Sequence, residues 1–196
     1  MSPPDPAVRE QRVDAILRAS IPVFAERGYR HTSMASIADA AGVSRPALYQ
    51  YFTDRADLFA AAFRLLLDES TDAALEALGA PAPLADQLDG YLQRLSGDAY
   101  ASLAATDFGD ELMDARHQFA AEAAVNAMKQ AHDGLRAHLK QHATSADQRT
   151  RTSVFELLTL SLVGLKQDHP TPAIYRRRLS FLAQTAARAL TDPGSN

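Results

Sequence analysis

Residues 32–55 read TSMASIADAAGVSRPALYQYFTDR, and the spacing describes two short helices joined by a tight turn. Met34, Ile37, Ala38 and Ala41 recur at helical intervals and form the inner face of the first helix, capped by Thr32 or Ser33. Gly42 supplies the left-handed backbone such a turn requires, and Val43 fills the angle between the helices. Ser44 caps the second helix, with Arg45 and Pro46 in its first turn, where a missing N–H costs little. Leu48 and Phe52, four apart, point inward. That leaves Arg45, Pro46, Ala47, Tyr49 and Gln50 outward, with Tyr51 at the edge.

Arginine, tyrosine and glutamine on the outer face of a short helix suit the DNA major groove. Arg45 can pair with guanine through two hydrogen bonds, and Gln50 can address adenine. Tyr49, Tyr51 and Arg55 can hold phosphates, helped by the helix N-termini. A helical hairpin with a solvated polar face would show much of the same pattern, so the turn alone does not select between the two.

A wider pattern does. Phe24-Ala25-Glu26-Arg27-Gly28 is followed by Thr32-Ser33, Ile37-Ala38, Ala41-Gly42-Val43-Ser44 and Leu48-Tyr49-Gln50-Tyr51-Phe52, closing with Arg55 and Leu58. In order and spacing this resembles the DNA-binding domain of the TetR family of bacterial transcriptional regulators. The resemblance covers residues 16–59 and beyond residue 60 is architectural only. It implies Ser33 near a phosphate, Arg45, Pro46, Ala47 and Gln50 against base edges, Ser44 at the head of the recognition helix, and Tyr49 and Tyr51 against backbone or bases. Arg55 stands where the family usually has a phosphate-contacting lysine. Ala35 departs from members that read a base with a basic residue there, which throws more of the readout onto Arg45 and Gln50.

Outside this stretch a helical period recurs along the chain and no run of alternating β-branched residues competes with it. A helix over 8–27 carries Val13, Ile16, Leu17 and Phe24 on one stripe, stops at Gly28, and should kink at Pro22. Further helices are expected over 54–78, 84–95, 98–106, 111–142, 147–167 and up to 190. The expected fold is all-α with about nine helices: an N-terminal three-helix helix-turn-helix domain, 1–55, and a larger C-terminal helical bundle, 56–196, for ligand binding and dimerisation.

Composition sets the outer limits. The 196 residues include no Cys, which excludes disulfides, thiolate nucleophiles and Cys-ligated metal sites. The net charge of −4 looks unpromising for a DNA binder until it is divided by region. Residues 1–55 carry +1, 56–122 carry −10 and 123–196 carry +5, so the acidic excess falls away from the helix-turn-helix. DNA affinity should then depend on a few placed contacts and on dimerisation. No segment approaches the roughly 20 apolar residues of a membrane span, and the N-terminus has no signal-peptide pattern, so a cytoplasmic protein without a membrane partner is expected.

The family resemblance implies a homodimer on a palindromic operator, built from the last two helices. Val154, Leu158, Ser161, Leu162 and Leu165 on one, with Ile174, Phe181, Leu182, Ala186 and Ala189 on the other, are the candidate interface. It also implies a pocket for a small-molecule effector in the middle helices, with Tyr91, Tyr100, Leu103, Phe108, Met113, His117, Phe119 and Met128 as candidate lining, although each taken singly reads more readily as core. His138 and His142, four apart with His132 nearby, have metal-compatible spacing but no carboxylate pattern beside them, so no metal and no cofactor are expected. An enzyme is disfavoured because no nucleophile–base or acid–base constellation is visible. A constitutive DNA-binding or protein-docking factor without a ligand is the remaining alternative. The helix over 54–78 is the expected lever between effector and DNA.

Overall fold

The computed structural model describes residues 6–191, and every regular element among them is helical. In chain order these are α1 (Pro6–His31), α2 (Met34–Ala40), α3 (Arg45–Leu48), α4 (Arg55–Leu78) and α5 (Leu84–Leu92). After a π-helical turn, Gln93–Gly97, come α6 (Asp98–Ala104), α7 (Gly109–Phe119), α8 (Ala121–His142), α9 (Gln148–Gly164) and α10 (Pro172–Thr191). The all-α expectation holds. None of the helices among the described residues is long and apolar enough to cross a membrane.

Contacts divide the chain into two compact units. One holds the residues up to Leu67 together with Ala105–Ala124; the other holds Asp68–Ala104 and the residues from Val125 onward. A boundary at residue 55 therefore differs from the observed division, which gives the first unit both the opening turns of α4 and a later segment containing α7. The physical reason is aromatic packing. Phe59 of α4 meets Phe24 edge-on at 5.0 Å between ring centroids, and Phe119 of α7 lies 5.0 Å from Tyr29. These rings cover apolar surface that the three helices at the N-terminus would otherwise leave to water.

In the second unit, α5 packs along α10, and Leu88, Tyr91, Leu92, Leu135, Leu158, Tyr175 and Leu179 are fully buried at its centre. Polar groups enter this core in satisfied pairs: the Ser96 and Tyr175 hydroxyls are 2.7 Å apart, and the Tyr91 hydroxyl donates to the Ala131 carbonyl at 3.1 Å. Burial pushes both tyrosine hydroxyls above their ordinary pKa, so both stay neutral.

Three expectations need correction. Within α1 the residue whose angles leave the helical range is Gly28 (φ 71°, ψ 171°), not Pro22. Glycine has no Cβ to oppose that conformation, whereas Pro22 keeps helical angles while costing the helix one donor. The single helix expected over 111–142 is two, because Ala120 (φ −128°, ψ 21°) interrupts it with no glycine or proline to signal the break. The helix expected over 84–95 ends at Leu92, where the π-helical turn takes over.

Candidate nucleic-acid interface

The connection between α2 and α3 is built almost wholly from local hydrogen bonds. Ser33 is the N-cap of α2: its hydroxyl accepts from the Ser36 amide at 3.1 Å, while the Ser33 amide donates back to the Ser36 hydroxyl at 3.0 Å. Thr32, the other candidate cap, is buried and donates to the Gly28 carbonyl at 2.6 Å. At the far end, Gly42 (φ 63°) donates to the Asp39 carbonyl and Val43 to the Ala38 carbonyl, the paired bonds of a glycine-terminated helix. A Cβ at Gly42 would meet nothing within 4 Å, so only the backbone conformation demands glycine there.

Ser44 then caps α3, accepting from the Ala47 amide at 3.3 Å. Leu48 and Phe52 are buried beneath, on a core with Ile37 and Leu58. Ser44, Arg45, Pro46, Tyr49 and Gln50 are exposed; Ala47 and Tyr51 are half-buried. Regular α-helix covers only Arg45–Leu48, and Gln50 and Tyr51 continue it through tighter bonds to the Ala47 and Leu48 carbonyls. The Arg45 guanidinium carbon stands 5.7 Å from the Tyr49 ring centroid, with Nη2 3.4 Å from the Tyr49 hydroxyl. The two side chains thus present a combined donor surface on one exposed face.

Arg55 does something else. Its Nη1 donates to the Arg30 carbonyl at 3.0 Å and the Thr32 carbonyl at 2.7 Å, and its guanidinium lies 4.2 Å from the Tyr29 ring centroid. The side chain expected at a phosphate is engaged with the backbone between α1 and α2. Arg9 was missing from the candidates: from α1 its guanidinium reaches 5.6 Å from the Tyr51 ring centroid, a proximity no local pattern could have signalled.

The effector-pocket candidates do not gather in one unit. Tyr91, Tyr100, Leu103 and Met128 belong to the second, whereas Phe108, Met113, His117 and Phe119 belong to the first. Phe108 and Phe119 pack at the C-terminal end of α1, and His117 is exposed. Tyr91 and Tyr100 spend their hydroxyls on the Ala131 and Pro170 carbonyls. His132 is different: its Nε2 is buried and has no hydrogen-bond partner, with the Phe155 ring edge-on at 5.7 Å. Burial, reinforced by Arg136, lowers its pKa.

The candidate interface also divides. Val154, Leu158, Leu162 and Ala186 are core residues of the second unit, and Leu158, at 0% exposure, has no surface to offer a partner. Ser161, Leu165, Ile174 and Leu182 are half-buried, and Phe181 and Ala189 are exposed. Leu160 and Val163 were overlooked, although they are 73% and 78% exposed; Phe181 is 72% exposed. Burying one stripe of α9 inside the chain turns the neighbouring stripe outward. His138 and His142 are stacked at 4.4 Å, with His138 Nε2 3.1 Å from Gln87 Oε1, and no group of three metal-binding side chains occurs among the described residues.

Residues 16–62 match the profile of bacterial regulatory proteins of the tetR family. The chain is 39% identical over 70 residues to the HTH-type transcriptional activator FasR of Mycolicibacterium smegmatis, covering 36% of this chain and 32% of FasR. It is 42% identical over 50 residues to the HTH-type transcriptional regulator AcrR of Shigella flexneri, covering 26% of this chain and 23% of AcrR. These matches span a third or less of either relative. Among solved structures, SmeT in its triclosan complex gives a TM-score of 0.60 at 15% identity, over 91% of this chain and 90% of SmeT. AlkX from Dietzia, a TetR family repressor, gives 0.58 at 16% identity over 90% and 96%. At these identities the likeness is one of fold.

Proposed function

Because the chain belongs to the TetR family of bacterial regulatory proteins, we propose that it is a transcriptional regulator that binds double-stranded operator DNA as a homodimer and leaves it when a small molecule binds. The observation that carries this reading is the exposed set Ser44, Arg45, Pro46, Tyr49 and Gln50, held over buried Leu48 and Phe52 by two serine caps and a glycine turn. Arg45 and Gln50 read base edges, Ala47 and Pro46 pack against them, and Tyr49, Tyr51 and Ser33 take the phosphates.

The exposed apolar residues of α9 and α10, Leu157, Leu160, Val163 and Phe181, support dimerisation. An isologous pairing of this surface would relate two recognition helices by a two-fold axis, the symmetry of a palindromic operator, whose half-sites lie about 34–36 Å apart. For the effector, the unpaired Nε2 of His132 offers a polar anchor in the second unit, and a mostly apolar compound with one hydrogen-bonding group fits that chemistry. Repression is the simpler consequence of operator occupancy, since it needs no contact with a polymerase.

The test is selection of bound duplexes from random DNA, followed by band shifts with and without a compound panel. A palindromic consensus whose complex is dissolved by one compound class supports the reading. Failure to enrich any sequence contradicts it.

A further inference from the structure

The backbone between α1 and α2 is gripped from two directions, and one grip comes from α7. Arg30 follows Gly28, whose left-handed conformation ends the regular part of α1 and leaves peptide groups without helical partners. The Arg30 amide donates to Oε1 of Glu111 at 2.6 Å, while the Arg30 carbonyl accepts from Arg55. Thr32 closes the same loop by donating to the Gly28 carbonyl. Around this bond the fit is tight: a Cβ on Gly28 would come 2.7 Å from the Phe108 ring and 2.9 Å from Glu111 Oε1. Thr106 donates to the Ala25 carbonyl, and Phe119 packs on Tyr29. The segment Ala105–Ala124 thus binds the end of α1 through one carboxylate, one hydroxyl and two rings, all within the first unit.

We propose that Glu111 is a positioning residue for DNA recognition: without touching DNA, it fixes the α1–α2 junction and so the entry of α2, the helix against which the recognition turn is set. This rests on the DNA-binding reading above. An N–H bound to a carboxylate is stronger and more directional than one bound to water, and Arg30 has carboxylate on its donor and guanidinium on its acceptor. Both groups are side chains from distant sequence, 81 and 25 residues away.

The experiment compares wild type, Glu111→Ala and Glu111→Gln on a duplex selected from random DNA by the wild-type protein. It is run at low temperature, where circular dichroism shows each variant folded, with amide exchange read at Arg30. Glu111→Ala is expected to weaken binding about tenfold or more with an unchanged salt slope, because no phosphate contact is lost, and to speed exchange at Arg30. Glu111→Gln, whose amide oxygen accepts the same bond, restores most of both. Should Glu111→Ala fold poorly, Glu111→Asp, one methylene short of the amide, serves in its place. Wild-type affinity in the folded variant, or unchanged Arg30 exchange, overturns the proposal. If the wild type selects no duplex, the regulatory reading falls and this one with it; a duplex bound equally by wild type and Glu111→Ala overturns this one alone.

Discussion

Arg55 lies over Tyr29, its guanidinium carbon 4.2 Å from the ring centroid, and in that position donates Nη1 to the carbonyls of Arg30 and Thr32. A lysine cannot copy this: its ammonium has neither the planar face for the ring nor the same fan of donors. Arg55→Lys should therefore cost about 1.5–3 kcal/mol of stability, the range for hydrogen bonds involving a charged partner. It should lower DNA affinity with little change in salt dependence. A loss of about one from the salt slope would instead mark Arg55 as a phosphate contact. Denaturant titration and band shifts at several salt concentrations separate the outcomes.

On the proposed reading, Arg45 and Gln50 carry the base readout. Arg45→Ala should cost about 1–3 kcal/mol of discrimination and relax preference at one position of each half-site. Gln50→Ala should do the same at a second position. Tyr49→Phe removes a hydroxyl beside Arg45 and should weaken binding to all sequences by a smaller amount. Competition between selected and scrambled duplexes checks all three.

What the sequence made legible follows the range of the forces involved. The cap at Ser44, the turn at Gly42 and the buried pair Leu48 and Phe52 are local and were read from spacing within a few residues, which also narrowed the α2 cap to Thr32 or Ser33. Arg55 was assigned by position in a pattern, but its partners lie 23 and 25 residues away, and nothing local reveals that they exist. The contact of Glu111 with Arg30 spans 81 residues and was invisible for the same reason. In α9 the helical period was clear but its phase was not. Apolar residues occur on two stripes, and only packing shows that Val154, Leu158 and Leu162 face inward while Leu157, Leu160 and Val163 face out.

That phase gives a prediction about assembly. Val163→Glu or Phe181→Glu places a charge on the exposed stripe and should convert a dimer to a monomer, seen by sedimentation, while the helical content is kept. Leu158→Ala should act differently, lowering stability by about 2–5 kcal/mol through a cavity in the core.

Acid should weaken the second unit through its histidines. The His138 ring donates Nε2–H to Gln87 Oε1, and Gln87 in turn donates to the Ala80 carbonyl at 2.7 Å. Burial and the adjacent His142 lower the His138 pKa, and burial with Arg136 lowers that of His132. Between those lowered values and about 6.5 the unfolded chain binds more protons than the folded one, so stability is full above that range and declines as pH falls through it. Asp168, held down by hydrogen bonds from Arg178, and Asp147, held down by the Thr150 amide, lose their contributions only at lower pH. Melting temperature should therefore fall as the pH drops below about 6.5. In His138→Gln the fall should be shallower; an unchanged slope would contradict the assignment.

If α3 and the turn after it read DNA sequence, selection from random duplexes, run in parallel with wild type and Arg45→Ala, should yield a palindromic consensus for the wild type, with half-site centres one helical turn apart, and a loss of information at one symmetric pair of positions in the variant. Enrichment of the same consensus by both proteins, or of none by the wild type, would contradict that reading.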